Sequence, residues 1–137
     1  MFNKSLWSSL SGEWMTPIEL YKELDKEFHF TLDPCPINAT TTNGLDITWT
    51  GNVYVNPPYG RHITDWIAKG YFSSLLTANV VVMLLPSRTG TIWWHEYVME
   101  GEIRFIKGRL KFGNATNSAP FDSVIVIFSK DIIHHNK

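Results

Sequence analysis

A chain of 137 residues that is 44% hydrophobic and 14% aromatic is long enough for one compact core and too short for two ordinary domains. Charged residues make up 18% of it and the net charge is −1, which excludes a disordered polyelectrolyte and a generally basic nucleic-acid coat. No apolar run is long enough to cross a bilayer, the start MFNKSLWSSL lacks the apolar stretch of a secretory signal, and Cys35 has no second cysteine to pair with, so a single cytoplasmic domain over residues 1–137 is expected, with its core at about 13–128 and short polar termini.

In chain order, Thr16-Pro17-Ile18-Glu19 carries a cap residue, a proline suited to the first helical position and a glutamate placed to close a capping box. A helix is predicted there, with Ile18, Tyr21, Leu24 and Phe28 on one face. His29 to Leu32 reads as a short strand stopped by Asp33-Pro34, and Cys35 to Asn52 as loop apart from an extended piece around Leu45 to Trp49. Val53-Tyr54-Val55 is a second strand that runs into Asn56-Pro57-Pro58-Tyr59-Gly60, where two prolines end sheet pairing. Ile63, Trp66, Ile67, Tyr71 and Leu75 mark an amphipathic helix, and the apolar run Val80 to Leu85 a strand buried on both faces and ending at Pro86. Thr91 to Met99 is a shorter helix, Glu102 to Ile106 a strand, Gly113 to Pro120 a loop, and Ser123 to Phe128 the last strand. Trp66, Trp93 and Trp94 have helical spacing and are expected in the core. Alternating strands and helices predict an α/β architecture, a mostly parallel sheet with helices on both faces.

In an open α/β sheet ligands collect beyond the C-terminal ends of the strands, and both Asp33-Pro34 and Asn56-Pro57-Pro58-Tyr59 stand at such ends. The second loop suits methyl transfer to an amine conjugated with a ring or carbonyl. Such a nitrogen is a poor nucleophile, and a catalyst must set hydrogen-bond acceptors against its N–H groups as charge develops. The side-chain oxygen of Asn56 and the carbonyl of Pro57 are the candidate acceptors, the ring of Pro58 removing a competing N–H. Tyr59 offers a face on which a flat base can stack, worth roughly 1–3 kcal/mol, comparable to the few kcal/mol lost in extracting a base from a duplex. On this reading stacking needs the ring of Tyr59 and not its hydroxyl.

Six separated segments, Glu13-Trp14-Met15-Thr16-Pro17, Leu32-Asp33-Pro34-Cys35, Gly51 to Gly60, Leu85-Pro86-Ser87-Arg88-Thr89, Ile103 to Phe112 and Ala119-Pro120-Phe121, together resemble the small phage-type DNA N6-adenine methyltransferases. The resemblance implies an abbreviated Rossmann-like methyltransferase fold, S-adenosylmethionine as methyl donor, double-stranded DNA as partner and a phage or prophage source in a bacterial host. It makes Asn56, Pro57, Pro58 and Tyr59 the catalytic loop and the Thr16-Pro17 turn part of the cofactor pocket, for which Trp14, Asp33 and Pro34 are the further candidates. A helix N-terminus at Thr16-Pro17 suits a carboxylate, and Asp33 suits an ammonium group. Larger methyltransferases have a glycine-rich loop after the first strand, absent from Asp33 to Asn38, and two strand–helix units that cannot fit between Asp33 and Asn56, so an abbreviated sheet is expected. Acidic residues common in the family are replaced here by Asn43 and Gly90, and Asp46 is the candidate to take the cofactor ribose.

Arg61, Arg88, Lys107, Arg109 and Lys111 are the candidate phosphate contacts, with a solvated charged face as the plain alternative for each. The five histidines and single cysteine show no structural-zinc spacing, and no metal is assigned. Methylation of a glutamine amide or of a guanine amine in ribosomal RNA, and an inactive DNA-binding scaffold, stay open as alternatives. So does the choice between monomer and homodimer.

Overall fold

The computed structural model describes residues 15–36, 43–113 and 117–135. Helix α1 (Ile18–Phe28) is followed by strand β1 (Gly51–Val55), helix α2 (Ile63–Leu76), strand β2 (Ala78–Pro86), helix α3 (Ile92–Glu96), strand β3 (Glu102–Phe105), strand β4 (Ser123–Phe128) and helix α4 (Lys130–His135). The four strands form one open sheet in the order β1-β2-β4-β3.

The expectation of a mostly parallel sheet is corrected by the pairing. β1 and β2 are parallel, whereas β4 is antiparallel to both β2 and β3. The reason lies in the connections. Helices α2 and α3 carry the chain back between β1, β2 and β3, so these three strands point one way and leave a one-strand gap between β2 and β3. No helix lies among the described residues between β3 and β4, and without a crossover the last strand can enter the gap only in reverse. Continuous apolar runs such as Val124 to Phe128 therefore report burial on both faces rather than strand direction.

Strand alternation divides the core. Val53, Val55, Val81, Met83, Leu85, Val124, Val126 and Phe128 pack on the face covered by Ile63, Trp66 and Ile67 of α2 and by Trp93 and Trp94 of α3. Tyr54, Val82, Leu84, Ile125 and Ile127 pack on the opposite face, against Leu20, Tyr21, Leu24 and Phe28 of α1. Helices thus cover both faces. The three tryptophans expected in the core are buried there.

Several local expectations change. Pro17, not Thr16, occupies the N-terminal cap position of α1, and among the described residues no side chain caps that end. The helix ends where His29 turns left-handed at φ 53°, and the Asn52 side chain donates to the carbonyls of Phe28 and His29 at 2.9 and 3.1 Å. The predicted strand from His29 to Leu32 contracts to one parallel bridge, Leu32 with Val53. The segment around Leu45 to Trp49 is not extended at its start. Gly44–Asp46 forms a 3-10 turn capped by the Asn43 side chain, which accepts from Leu45 N at 3.0 Å. Helix α4 was not expected, because its six residues are too few to show periodicity; it buries Ile133 in the core on the α2 side. Far from β1, Arg104 of β3 donates to both carboxylate oxygens of Glu27 at 2.7 Å and lies over the Phe28 ring, pinning the C-terminal end of α1 across the sheet. Both partners are substantially exposed, so the pair contributes about 0.2–1 kcal/mol.

Gly44 ties the 3-10 turn to the Asp33-Pro34 corner, since a Cβ there would overlap the Pro34 carbonyl and press on Trp66, while nothing lies near a Cβ at Gly90. Its own carbonyl accepts from the Trp49 indole at 2.9 Å. We expect Gly44→Ala to destabilise the fold by roughly 1–3 kcal/mol through overpacking and Gly90→Ala to leave it within about 0.5 kcal/mol, measured as urea midpoints; equal effects would contradict the close approach.

Candidate active site

The parallel bridge at Leu32 builds the site. Tyr54 N donates to Leu32 O at 3.0 Å, and Thr31 N and Leu32 N both reach Asn52 O at 2.8 and 3.2 Å. The corner Asp33-Pro34 therefore leaves the sheet directly beside β1, whose own exit is Asn56. The abbreviated arrangement expected from the short Asp33 to Asn56 interval is present: Leu32 abuts β1 with nothing between them. Because β1, β2 and β3 share one direction, the segments following all three open on this same edge.

Asp33 is partly buried and its Oδ1 accepts from Cys35 N at 2.9 Å. Burial pushes its carboxyl up to about 6, only partly offset by that hydrogen bond. Cys35 packs against the core on the α2 side.

Thr16 stands one residue before the cap position of α1, and its hydroxyl is used elsewhere. Its Oγ1 lies 2.6 Å from the Tyr54 hydroxyl and accepts from Asn56 Nδ2 at 3.2 Å. The Asn56 amide is thus held with its nitrogen toward Thr16, and its oxygen is buried. Tyr54 is 1% exposed, set edge-on to Tyr21 at 5.1 Å and beside Phe30 at 5.2 Å. Burial holds its phenol well above the ordinary tyrosine range, the Thr16 hydrogen bond opposes this, and the nearby Tyr59, Asp33 and Tyr21 reinforce it. Sequence reasoning missed Tyr54; its signal was a polar tip in an otherwise apolar strand, two residues before Asn56.

Pro57 is buried and Pro58 partly so. The Tyr59 hydroxyl donates to Leu84 O at 3.2 Å, and its ring meets Phe121 at 5.5 Å and Phe112 at 6.5 Å, both edge-on. Burial raises the Tyr59 phenol, which stays protonated. The expectation that only the ring matters is revised, because the hydroxyl anchors the loop to β2. Phe112 and Phe121, also missed as site neighbours, join the end of the chain to this loop.

The five candidate cations Arg61, Arg88, Lys107, Arg109 and Lys111 are all exposed. Arg61 follows β1, Arg88 follows β2 and the other three follow β3, so the set stands around the edge that carries Asn56. Asp46 is exposed on the 3-10 turn held against Pro34 by Gly44. Pro17 opens α1 beside Thr16, and Trp14 lies outside the described residues. No group of three or more His, Cys, Asp or Glu side chains that could hold a metal occurs among the described residues, and no helix among them is long and apolar enough to cross a membrane.

Asp33 has a consequence for stability that can be measured. A carboxyl whose folded value is raised binds more protons in the native than in the unfolded state between about 4 and 6, so stability falls as pH rises through that window and stays lower above it. At pH 7 Asp33→Asn should be more stable than the parent by about 2–3 kcal/mol, with the difference vanishing near pH 4; melting curves across pH 4–8 that run parallel would refute the buried-carboxylate description.

Neither the curated proteins nor the solved structures contain a match to this chain. One family model does match, DNA N-6-adenine-methyltransferase (Dam), over residues 4–133, a span that takes in Thr16, Asp33, Asn56 to Tyr59 and all five cations. The chain therefore belongs to the DNA N-6-adenine-methyltransferase (Dam) family.

Proposed function

We propose that the protein transfers the methyl group of S-adenosylmethionine to the exocyclic N6 amine of adenine in double-stranded DNA. The observation that carries the reading is the juxtaposition of Asn56-Pro57-Pro58-Tyr59 with the Asp33 corner at one edge of the sheet. The chemistry of the residues fits the cofactor. The carboxyl of Asp33, held at about 6 by burial, is stabilised in its ionised form by a cation such as the ammonium group of an amino acid. The first turn of the 11-residue helix α1, which no side chain among the described residues caps, presents backbone N–H groups suited to a carboxylate. Asp46, Pro34 and Trp14 are the further candidates for its ribose and adenine parts.

S-adenosylmethionine supplies a methyl group activated on a sulfonium, which needs no metal for transfer. The chain's own residues then act on the acceptor nitrogen. The Asn56 side-chain oxygen and the Pro57 carbonyl would accept from the two N–H groups of the amine, keep its lone pair directed at the incoming methyl and favour the positive charge that develops there, the surplus proton then passing to water and the cofactor leaving as its neutral thioether. Tyr59, tethered to Leu84 O and braced by Phe112 and Phe121, offers a ring of fixed orientation to an extruded base. Arg61, Arg88 and Lys107, and beyond them Arg109 and Lys111, contact phosphates on either side. A single small domain reads sequence with a few loops, so the target is a short one.

Incubation with methyl-labelled cofactor and, separately, duplex DNA, RNA and protein should label DNA alone, on N6 of adenine; label confined to RNA or to a protein amide would replace this reading. In the same assay Asn56→Ala should lower kcat by on the order of 10²-fold or more while cofactor affinity changes less. An equal loss of both would move Asn56 into the cofactor pocket. DNA affinity should fall steeply with salt, and replacing Arg61, Arg88 or Lys107 by alanine should each reduce the slope of log K against log salt by about 1. An unchanged slope would return that cation to the solvated surface.

A further inference from the structure

An amide side chain has two ends of nearly equal shape and opposite hydrogen-bonding sense, so the catalytic use of Asn56 depends on something that tells its oxygen from its nitrogen. Asn56 Nδ2 meets Thr16 Oγ1 at 3.2 Å, and Thr16 Oγ1 meets the Tyr54 hydroxyl at 2.6 Å. We propose that Thr16 and Tyr54 are positioning residues that hold the Asn56 amide nitrogen inward, and so keep its oxygen turned toward the amine to be methylated. The inference rests on the acceptor role given to Asn56 above.

The proton count explains how the hold works. Tyr54 is buried at 1% exposure in a setting of Tyr21 and Phe30, and among the described residues Thr16 is the one hydrogen-bond partner shown for its hydroxyl. A buried phenol left without a bond costs about 1–3 kcal/mol, so Tyr54 directs its proton to Thr16. Burial also keeps that proton in place at any physiological pH. Thr16 has two lone pairs and one proton. One lone pair accepts from Tyr54 and the other from Asn56, which leaves the Thr16 proton for the carboxylate of the cofactor proposed above to bind at the first turn of α1. With that proton committed, Thr16 faces Asn56 as an acceptor only, and a reversed amide would set oxygen against oxygen. Binding at the helix and orientation of the catalytic amide are thereby coupled through one hydroxyl.

The positions support a role of this kind over simple packing. Thr16 is a buried polar residue in front of α1, one position before its cap, and its hydroxyl turns to Tyr54 and Asn56. Tyr54 lies in β1 and Asn56 is the first residue past its end, two positions on, and both side chains reach the same Thr16 hydroxyl.

The test reads the amide directly. In the full-length protein, the side-chain N–H resonances of Asn56 should exchange slowly with solvent, and more slowly when S-adenosylhomocysteine, which keeps the amino-acid carboxylate, is bound. Tyr54→Phe and Thr16→Val should raise that exchange rate at least tenfold, with a melting temperature close to the parent's in Tyr54→Phe and several degrees lower in Thr16→Val, where the Tyr54 phenol loses its partner, and Thr16→Ser should restore it. In the methylation assay the first two should lower kcat by on the order of 10²-fold with KM for DNA little changed, and Thr16→Ser should recover most of the loss. Unchanged exchange in Tyr54→Phe and Thr16→Val, or loss of kcat not rescued by serine, overturns the positioning role. If instead exchange behaves as described but the parent methylates no adenine, the proposed reaction fails while the hold on Asn56 stands.

Discussion

Everything at the site depends on a short piece of backbone pairing, the bonds by which Leu32 and Thr31 lie parallel against Asn52 to Tyr54. This pairing is only one bridge long, yet it sets two chain exits side by side, the buried carboxyl of Asp33 at one and Asn56 with its two prolines at the other. A parallel alignment is required for this, because antiparallel neighbours would send the two exits to opposite edges. Asn52 secures the pairing from below by closing the end of α1 with its side chain. Gly44 secures it from the side by letting the 3-10 turn approach Pro34. The bridge is therefore held by parts of the chain on both sides of it in sequence.

The site is also where the molecule gives up stability. Asp33 is ionised at neutral pH in surroundings that disfavour its charge, and Tyr54 and Tyr59 bring hydroxyls into largely apolar surroundings, each meeting a single partner among the bonds shown. Away from the edge the sheet follows ordinary economy: Val81 to Leu85 and Val124 to Phe128 are buried with their backbone groups paired in the ladder. Local departures of this sort are expected where a ligand or substrate supplies the missing partner. The aromatic bracket of Tyr59, Phe112 and Phe121 ties the Asn56-to-Tyr59 loop to the chain entering β4, so the last strand contributes to the candidate site although it carries none of the expected site residues.

Much of this was legible in one dimension. The strands β1, β2 and β4 and the helices α1, α2 and α3 follow from periodicity and from prolines that stop them, and the strand exit at Asn56-Pro57-Pro58-Tyr59 follows from two missing N–H groups. The order of the segments from Glu13 to Phe121 pointed to the family that the family model matches. These are local properties, written in the spacing of apolar residues and in residues whose backbone preferences allow few alternatives.

Three things were decided only in three dimensions. The direction of β4 depends on the absence of a crossover helix before it and on the gap left by its neighbours, and an apolar run reads the same in either direction. Thr16 reads locally as a helix cap, but it stands one residue before the cap position and its hydroxyl turns to Tyr54 and Asn56, which are 38 and 40 residues away; no local rule weighs a cap against a partner that distant. Tyr54 and the Tyr59 hydroxyl acquired their roles in the same way, through contacts with Thr16 and with Leu84 O across the sheet. Sequence by itself determined the elements and the chemistry available at their ends, because those depend on neighbours along the chain, whereas the tertiary structure decided which polar atoms meet, because hydrogen bonds are directional and short and are satisfied by whatever the fold brings within 3 Å or so.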